Sequence, residues 1–289
     1  PRGSAGAGGA GGAFGLPLGL VSGAEVWRSL DAADPGYSSP SLIQARGARQ
    51  LIRHSAILAA LAAALLGACT GQASTQRNVA VMTSLPILWT EEPSIGAMLG
   101  KGEAPPHWAK AVLESRGALV PLDRIANETL RGVDLAVLAQ PRPLAPEEMV
   151  ALDRWGRGGG RLLLLADPML TAHSIFPLGD PRRPQAIAMV DPLLAHWGLE
   201  LGYDDDAAEG ERVVRARGID LPVNLPGSLK TSGKRCTVDA SGLIATCRIG
   251  QGLAVLVADA ALLESEDGVD PEPRKSAFLG LLKLVDKQP

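Results

Sequence analysis

Aromatic residues are scarce in this 289-residue chain, at 3% for Phe, Trp and Tyr together. A core must therefore be built from Ala, Leu and Val, and the exposed rings that carbohydrate-binding surfaces normally use are in short supply. A basic surplus is also missing. Lys+Arg is 28 against Asp+Glu 31, a formal net charge of −3, so the chain as a whole has no excess cation to neutralise a phosphate backbone, which argues against nucleic acid as a partner. No uncharged apolar run reaches the ~20 residues that span a bilayer. Cysteine occurs only at Cys69, Cys236 and Cys247, and no methionine precedes Met82.

What is present begins with a Gly/Ala-rich stretch over residues 1–50 that has neither helical nor strand periodicity. It buries too little apolar surface to offset its ordering entropy and is expected to be disordered or a non-native extension. Residues 51–69 have the layout of an export signal. Arg46, Arg49 and Arg53 precede the apolar run Ala56–Leu66, and Leu66-Gly67-Ala68-Cys69 resembles a bacterial lipobox. That resemblance implies a diacylglycerol on the Cys69 thiol, cleavage before it, and a stable membrane anchor through the acyl chains. The plainer alternative is an ordinary signal peptide with an incidental cysteine. Residues 70–78 read as a polar linker.

From residue 79 onward apolar strands alternate with amphipathic helices. Strands are expected at Val79–Leu85, Ala118–Leu122, Val133–Ala139, Leu162–Ala166, Arg212–Ile219 and Leu253–Ala258. Helices are expected at His107–Arg116, Ala145–Trp155, Ala186–Trp197 and Lys275–Val285. Leu162–Ala166 and Leu253–Ala258 are apolar throughout, as strands buried on both faces are. The alternation points to an α/β domain over 79–289, flavodoxin-like and doubly wound on a mostly parallel sheet. Cys236 and Cys247 flank a turn at Ser241-Gly242 that would set them directly opposite on a late β-hairpin. A disulfide there fits export; free core thiols or a metal pair are the alternatives.

Candidate chemistry gathers at strand ends. Asp167 and Asp259 each follow an apolar strand, and Thr83 and Ser84 end the first one. If the strands are parallel, all four lie at the carboxyl edge of the sheet, where open α/β folds bind ligands, and paired carboxylates there could serve as acid and base. The alternative is that each Asp caps the next helix and the hydroxyls satisfy the turn. His173 lies near Asp167 in sequence, but no Gly-x-Ser-x-Gly elbow supplies a nucleophile. Gly156–Gly160 stands between helix and strand, the reverse of a dinucleotide site. Gly96–Gly102 is one residue short of a P-loop and lacks the closing Ser/Thr. Asp204-Asp205-Asp206 with Glu209 and Glu211 lacks the spacing of a calcium loop. No metal or cofactor is implied.

One family shares these features. Gly132–Pro141, Leu144–Glu148, Leu152–Trp155 and Gly158–Pro168 resemble the auxiliary domain of uncharacterised ABC-type transport systems, the GldG-like family of glutamine-amidotransferase-like fold. Asp191–Gly202 and Gly250–Asp259 are similar to its later segments. The resemblance implies a non-catalytic extracytoplasmic module beside ABC permease subunits. Family members usually carry a C-terminal membrane helix, whereas Lys275–Pro289 is too short and too charged for one, a departure that bears on direct partnership with a permease; a lipid on Cys69, on the periplasmic side of a bacterial envelope, is the expected replacement for that anchor. The alternative function is a hydrolase or transferase using Asp167 and Asp259, with His173 or Ser84.

Overall fold

The computed structural model describes residues 77–91, 106–264 and 270–287. The chain divides into two units, Pro1–Ala73 and Ser74–Pro289. The first, with Cys69 and the apolar leader, lies outside the described residues, as does Gly96–Gly102. Among the described residues, no helix is long and apolar enough to cross a membrane.

In chain order the elements are β1 (Asn78–Thr83), α1 (Trp108–Glu114), β2 (Ala118–Pro121), β3 (Leu135–Ala139), α2 (Pro146–Arg157), β4 (Arg161–Leu165), α3 (Asp191–Trp197), β5 (Leu199–Gly202), β6 (Arg212–Ala216), β7 (Ile219–Val223), β8 (Ser228–Thr231), β9 (Cys236–Val238), β10 (Ile244–Ile249), β11 (Gly252–Val257), a 3₁₀ turn (Ala261–Leu263) and α4 (Glu272–Asp286). The result is a mixed α/β fold on a seven-stranded sheet of order β2-β1-β3-β4-β11-β10-β9. Strands β2, β1, β3, β4 and β11 are parallel, and β10 and β9 extend the sheet as an antiparallel hairpin. Two small ribbons, β5 with β8 and β6 with β7, complete the strands.

Side chains alternate across the sheet, so each central strand feeds two cores. Val79, Val81, Leu163, Leu165, Val255 and Val257 meet α1 and α4 on one face. Ala80, Met82, Leu162, Leu164, Ala254 and Leu256 meet α2 and α3 on the other. This double burial is why β4 and β11 are apolar at every position after Arg161 and Gly252. Gly252 is dictated by close approach, because a Cβ there would collide with the carbonyl oxygens of Gly156 and Gly160.

Two expected elements differ. The helix expected from Ala186 begins only at Asp191. Pro192 has no N–H to give to residue 188, and its ring would strike that carbonyl, so a helix cannot run through it from Ala186. The strand expected over Arg212–Ile219 is instead a hairpin, β6 with β7. Arg217 and Gly218 turn the chain with φ of 47° and 80°, as the tightest two-residue hairpin turn requires.

Candidate functional site

Parallel pairing brings the expected residues to one edge. Thr83, Ala139, Leu165 and Val257 stand in register across the sheet. The residues after them, Ser84, Gln140, Asp167 and Asp259, therefore share the carboxyl edge. Strand order reverses between β1 and β3, which is where open α/β sheets leave a ligand crevice.

That crevice is filled by protein. Gln140, at the end of β3, is 0% exposed with φ of 45°, a left-handed conformation costly for a residue with a side chain. Its Nε2 donates to the backbone oxygens of Asp167 (3.1 Å) and Gln185 (2.8 Å), and its Oε1 accepts from the Asp167 N–H at 2.9 Å. Ser84 Oγ donates to the Gln140 carbonyl at 2.6 Å and accepts from the Gln185 N–H at 3.0 Å. Thr83 Oγ1 accepts from the Leu85 N–H, a turn bond local to the end of β1. Both hydroxyls thus satisfy backbone.

The carboxylates are equally committed. Asp167 and Asp259 are each 0% exposed. Asp167 accepts from the N–H groups of Met169 (2.8 Å) and Ala260 (3.1 Å). Asp259 accepts from those of Ala261 (2.7 Å) and Asn224 (3.1 Å). Asp259 holds the N–H of the first residue of the 3₁₀ turn, but the N-cap position is Ala260, so Asp259 is not the helix cap that one reading of the sequence expects. Asp167 does not cap a helix, because residues after Pro168 form a long connection; it ties β4 to the segment after β11 instead. Burial pushes the Asp167 carboxyl up to about 6, against the pull of its two amides. Burial, and then the charge of Asp167, hold Asp259 well above the usual carboxylate range.

A supporting shell surrounds the pair that sequence reading did not single out. Asn224 Nδ2 donates to Thr171 Oγ1, which donates to Glu264. Arg274, 3% exposed on α4, donates to the carbonyls of Ala261 and Glu264 and pairs with Glu211. The signal available for Arg274 was an arginine on the apolar stripe of a helix. Gln140 offered only its place before Pro141.

Other candidates stand apart from this edge. His173 is exposed and makes no hydrogen bond among the described residues. Asp204, Asp205 and Asp206 are exposed, and Asp204 accepts from the Asp206 N–H within its own turn. Among the described residues no group of three His, Cys, Asp or Glu could hold a metal ion. Cys236 and Cys247 are bonded to each other across β9 and β10. Two clefts lie away from Asp167 and Asp259: one of about 510 Å³ is lined by residues including Asp191, Glu200 and Lys230, and one of about 500 Å³ sits at the amino edge of the sheet.

No protein-family model matches this chain, and no curated protein matches it. Among solved structures, a cytoplasmic protein from Salmonella typhimurium is similar at 11% identity and a TM-score of 0.44, over 73% of this chain and 98% of that one. A ThuA-like protein from Bacteroides uniformis is similar at 9% identity and 0.41, over 75% and 95%. An exo-β-1,4-mannosidase from an Opitutaceae bacterium is similar at 14% identity and 0.35, over 72% of this chain. This chain spans 33% of the length of that mannosidase. At these scores the likenesses carry no inference about activity.

Proposed function

We propose that this chain is a non-catalytic extracytoplasmic lipoprotein module that works beside an ABC-type transport system, as its resemblance to the GldG-like family implies. In this reading residues 79–289 form a flavodoxin-like, doubly wound domain of glutamine-amidotransferase-like kind, with the β9–β10 hairpin as a late insertion. Cys69 carries the lipid that holds the domain on the periplasmic side of a bacterial envelope.

One observation carries the non-catalytic half of the proposal. Every side-chain oxygen of Asp167 and Asp259 is occupied by a backbone N–H, both residues are fully buried, and Gln140 fills the crevice where a ligand would sit. A general acid or base must reach its substrate within hydrogen-bond distance, directly or through one water. The Cys236–Cys247 bond supports the extracytoplasmic half, since such bonds persist in oxidising compartments.

The test uses the chain with its own leader, expressed in bacteria. Labelled palmitate should enter it and should not enter the Cys69→Ala variant. Mild-detergent extraction after cross-linking should recover ABC ATPase and permease subunits with the parent chain. Recovery of the unlabelled, reduced protein from the cytosol would overturn the lipoprotein reading. A hydrolase or transferase activity lost in a folded Asp167→Asn variant would replace the module by an enzyme.

A further inference from the structure

The net charge of −3 conceals a local concentration of arginine. The turns at the amino edge of the sheet carry Arg77, Arg116, Arg131, Arg161, Arg235 and Arg248. Three of these, Arg77, Arg116 and Arg161, converge on the single carboxylate of Asp286 at the end of α4. Arg131, Arg235 and Arg248 are exposed and make no ion pair among the described residues. Acids share this edge as a minority: Glu128 is exposed in the same turn as Arg131, Glu114 ends α1, where it pairs with Lys110, and one oxygen of Asp134 accepts from the Asn78 N–H. Arg77, Arg161, Asp286 and the Gly158–Gly160 backbone line the open cleft of about 500 Å³ between the ends of β3 and β4.

Arginine near helix C-termini favours the helix dipole. That accounts for Arg154 and Arg157 in the last turn of α2. It does not account for Arg131, Arg235 and Arg248, which lie outside the helices on turns or a strand. The position of this edge gives the reason. β1 begins at Asn78, so the chain arrives at the amino edge, with Arg77 in it. Only residues 70–76 separate Arg77 from Cys69. Extended, that span reaches on the order of 25 Å. If Cys69 is lipidated, the tether enters the domain at this arginine-bearing edge.

We propose that the amino edge of the sheet docks on an anionic phospholipid surface, with Arg131, Arg235, Arg248 and the surplus cations around Asp286 facing the headgroups. This deepens the lipoprotein reading and rests on it for the orientation of the domain. The lipid in the bilayer core holds the chain on the membrane; the arginines set which end of the domain faces it. Each arginine near an anionic surface strengthens binding about fivefold at low salt.

The test uses the full chain as Cys69→Ala, so that no acyl chain drives binding. Binding is measured by co-sedimentation with vesicles of phosphatidylcholine alone or with 30% phosphatidylglycerol. The ratio between the two isolates charge, because the apolar leader meets both. The ratio should exceed tenfold at about 50 mM NaCl and fall steeply by about 500 mM. It should drop at least tenfold in Arg131→Glu/Arg235→Glu/Arg248→Glu and be kept when the same positions become Lys. A ratio that is flat with salt, or equal in the reversed variant, overturns the proposal. Competition by millimolar inorganic phosphate would instead assign a discrete phosphate site, and stronger binding to a DNA oligonucleotide would assign a nucleic-acid surface; either result overturns it. Palmitate labelling is scored separately, so loss of the anchor reading and loss of the docking face are told apart.

Discussion

Gln140 is held in an unfavourable backbone conformation by three hydrogen bonds to residues 27 and 45 positions later in the chain. Gln140→Ala would leave the Asp167 N–H and the Gln185 carbonyl without their partner, while the Asp167 carbonyl keeps the Ala188 N–H, and each unsatisfied buried group costs about 1–3 kcal/mol. We expect a loss of about 2–4 kcal/mol in urea unfolding at pH 7. A change under 1 kcal/mol would mean that water replaces the side chain and that the crevice can open. Sequence reading brought Ser84, Asp167 and Asp259 to the correct edge, because the end of an apolar strand is a local signal. It did not reveal what closes that edge. The Gln140–Asp167–Gln185 contact joins three distant segments, and no spacing in the sequence encodes it.

Elements show the same division. β4 and β11 are readable because burial on both faces leaves nothing polar to confuse them, and their parallel pairing follows from the helices between. The Cys236–Cys247 pair is readable because the Ser241-Gly242 turn fixes the register, which the structure has as Val238 opposite Ala245 and Cys236 opposite Cys247. The start of α3 and the β6–β7 turn depart from the periodicity because Pro192 and Arg217-Gly218 override it locally. Two outcomes belong to this scale. Reduction of the disulfide, which spans a sequence separation of 11, should cost about 2–3 kcal/mol. For a domain of this size that lowers Tm by about 5–10 °C in calorimetry with and without dithiothreitol. Gly252→Ala forces β11 away from the α2–β4 turn and should cost about 3 kcal/mol, measured the same way; a neutral result would show that this turn yields easily.

The whole molecule balances opposed titrations. His107, the N-cap of α1, accepts from the Ala109 N–H through Nδ1, and burial lowers its pKa to about 4. Between pH 6.5 and 4 the unfolded chain takes a proton there that the folded chain refuses, so stability falls as pH falls. Asp167 works in the other direction. Its folded pKa of about 6 exceeds the unfolded value, so the folded chain takes the proton first and stability rises from pH 7 to pH 5. Each contributes up to about 1.4 kcal/mol per pH unit within its window. Asp259, whose folded carboxyl is also raised, acts with Asp167, so between pH 7 and 5 His107→Gln should gain about 1–2 kcal/mol more than the parent in urea unfolding. Equal slopes in the two proteins would show that the folded chain does not refuse the His107 proton, and a flat profile in His107→Gln would show that the buried carboxylates take up no proton there. Glu148, held near 2 chiefly by the hydrogen bonds from Arg142, adds nothing in this window.

The sheet ends in β2, four residues closing on Pro121, and in β9, three residues held to β10 by a covalent bond. Proline withholds a donor, and a strand so short offers few rungs for a stranger to grip. Among the described residues, neither end of this sheet therefore offers a long open ladder, and two copies meeting edge to edge would gain few rungs from one another.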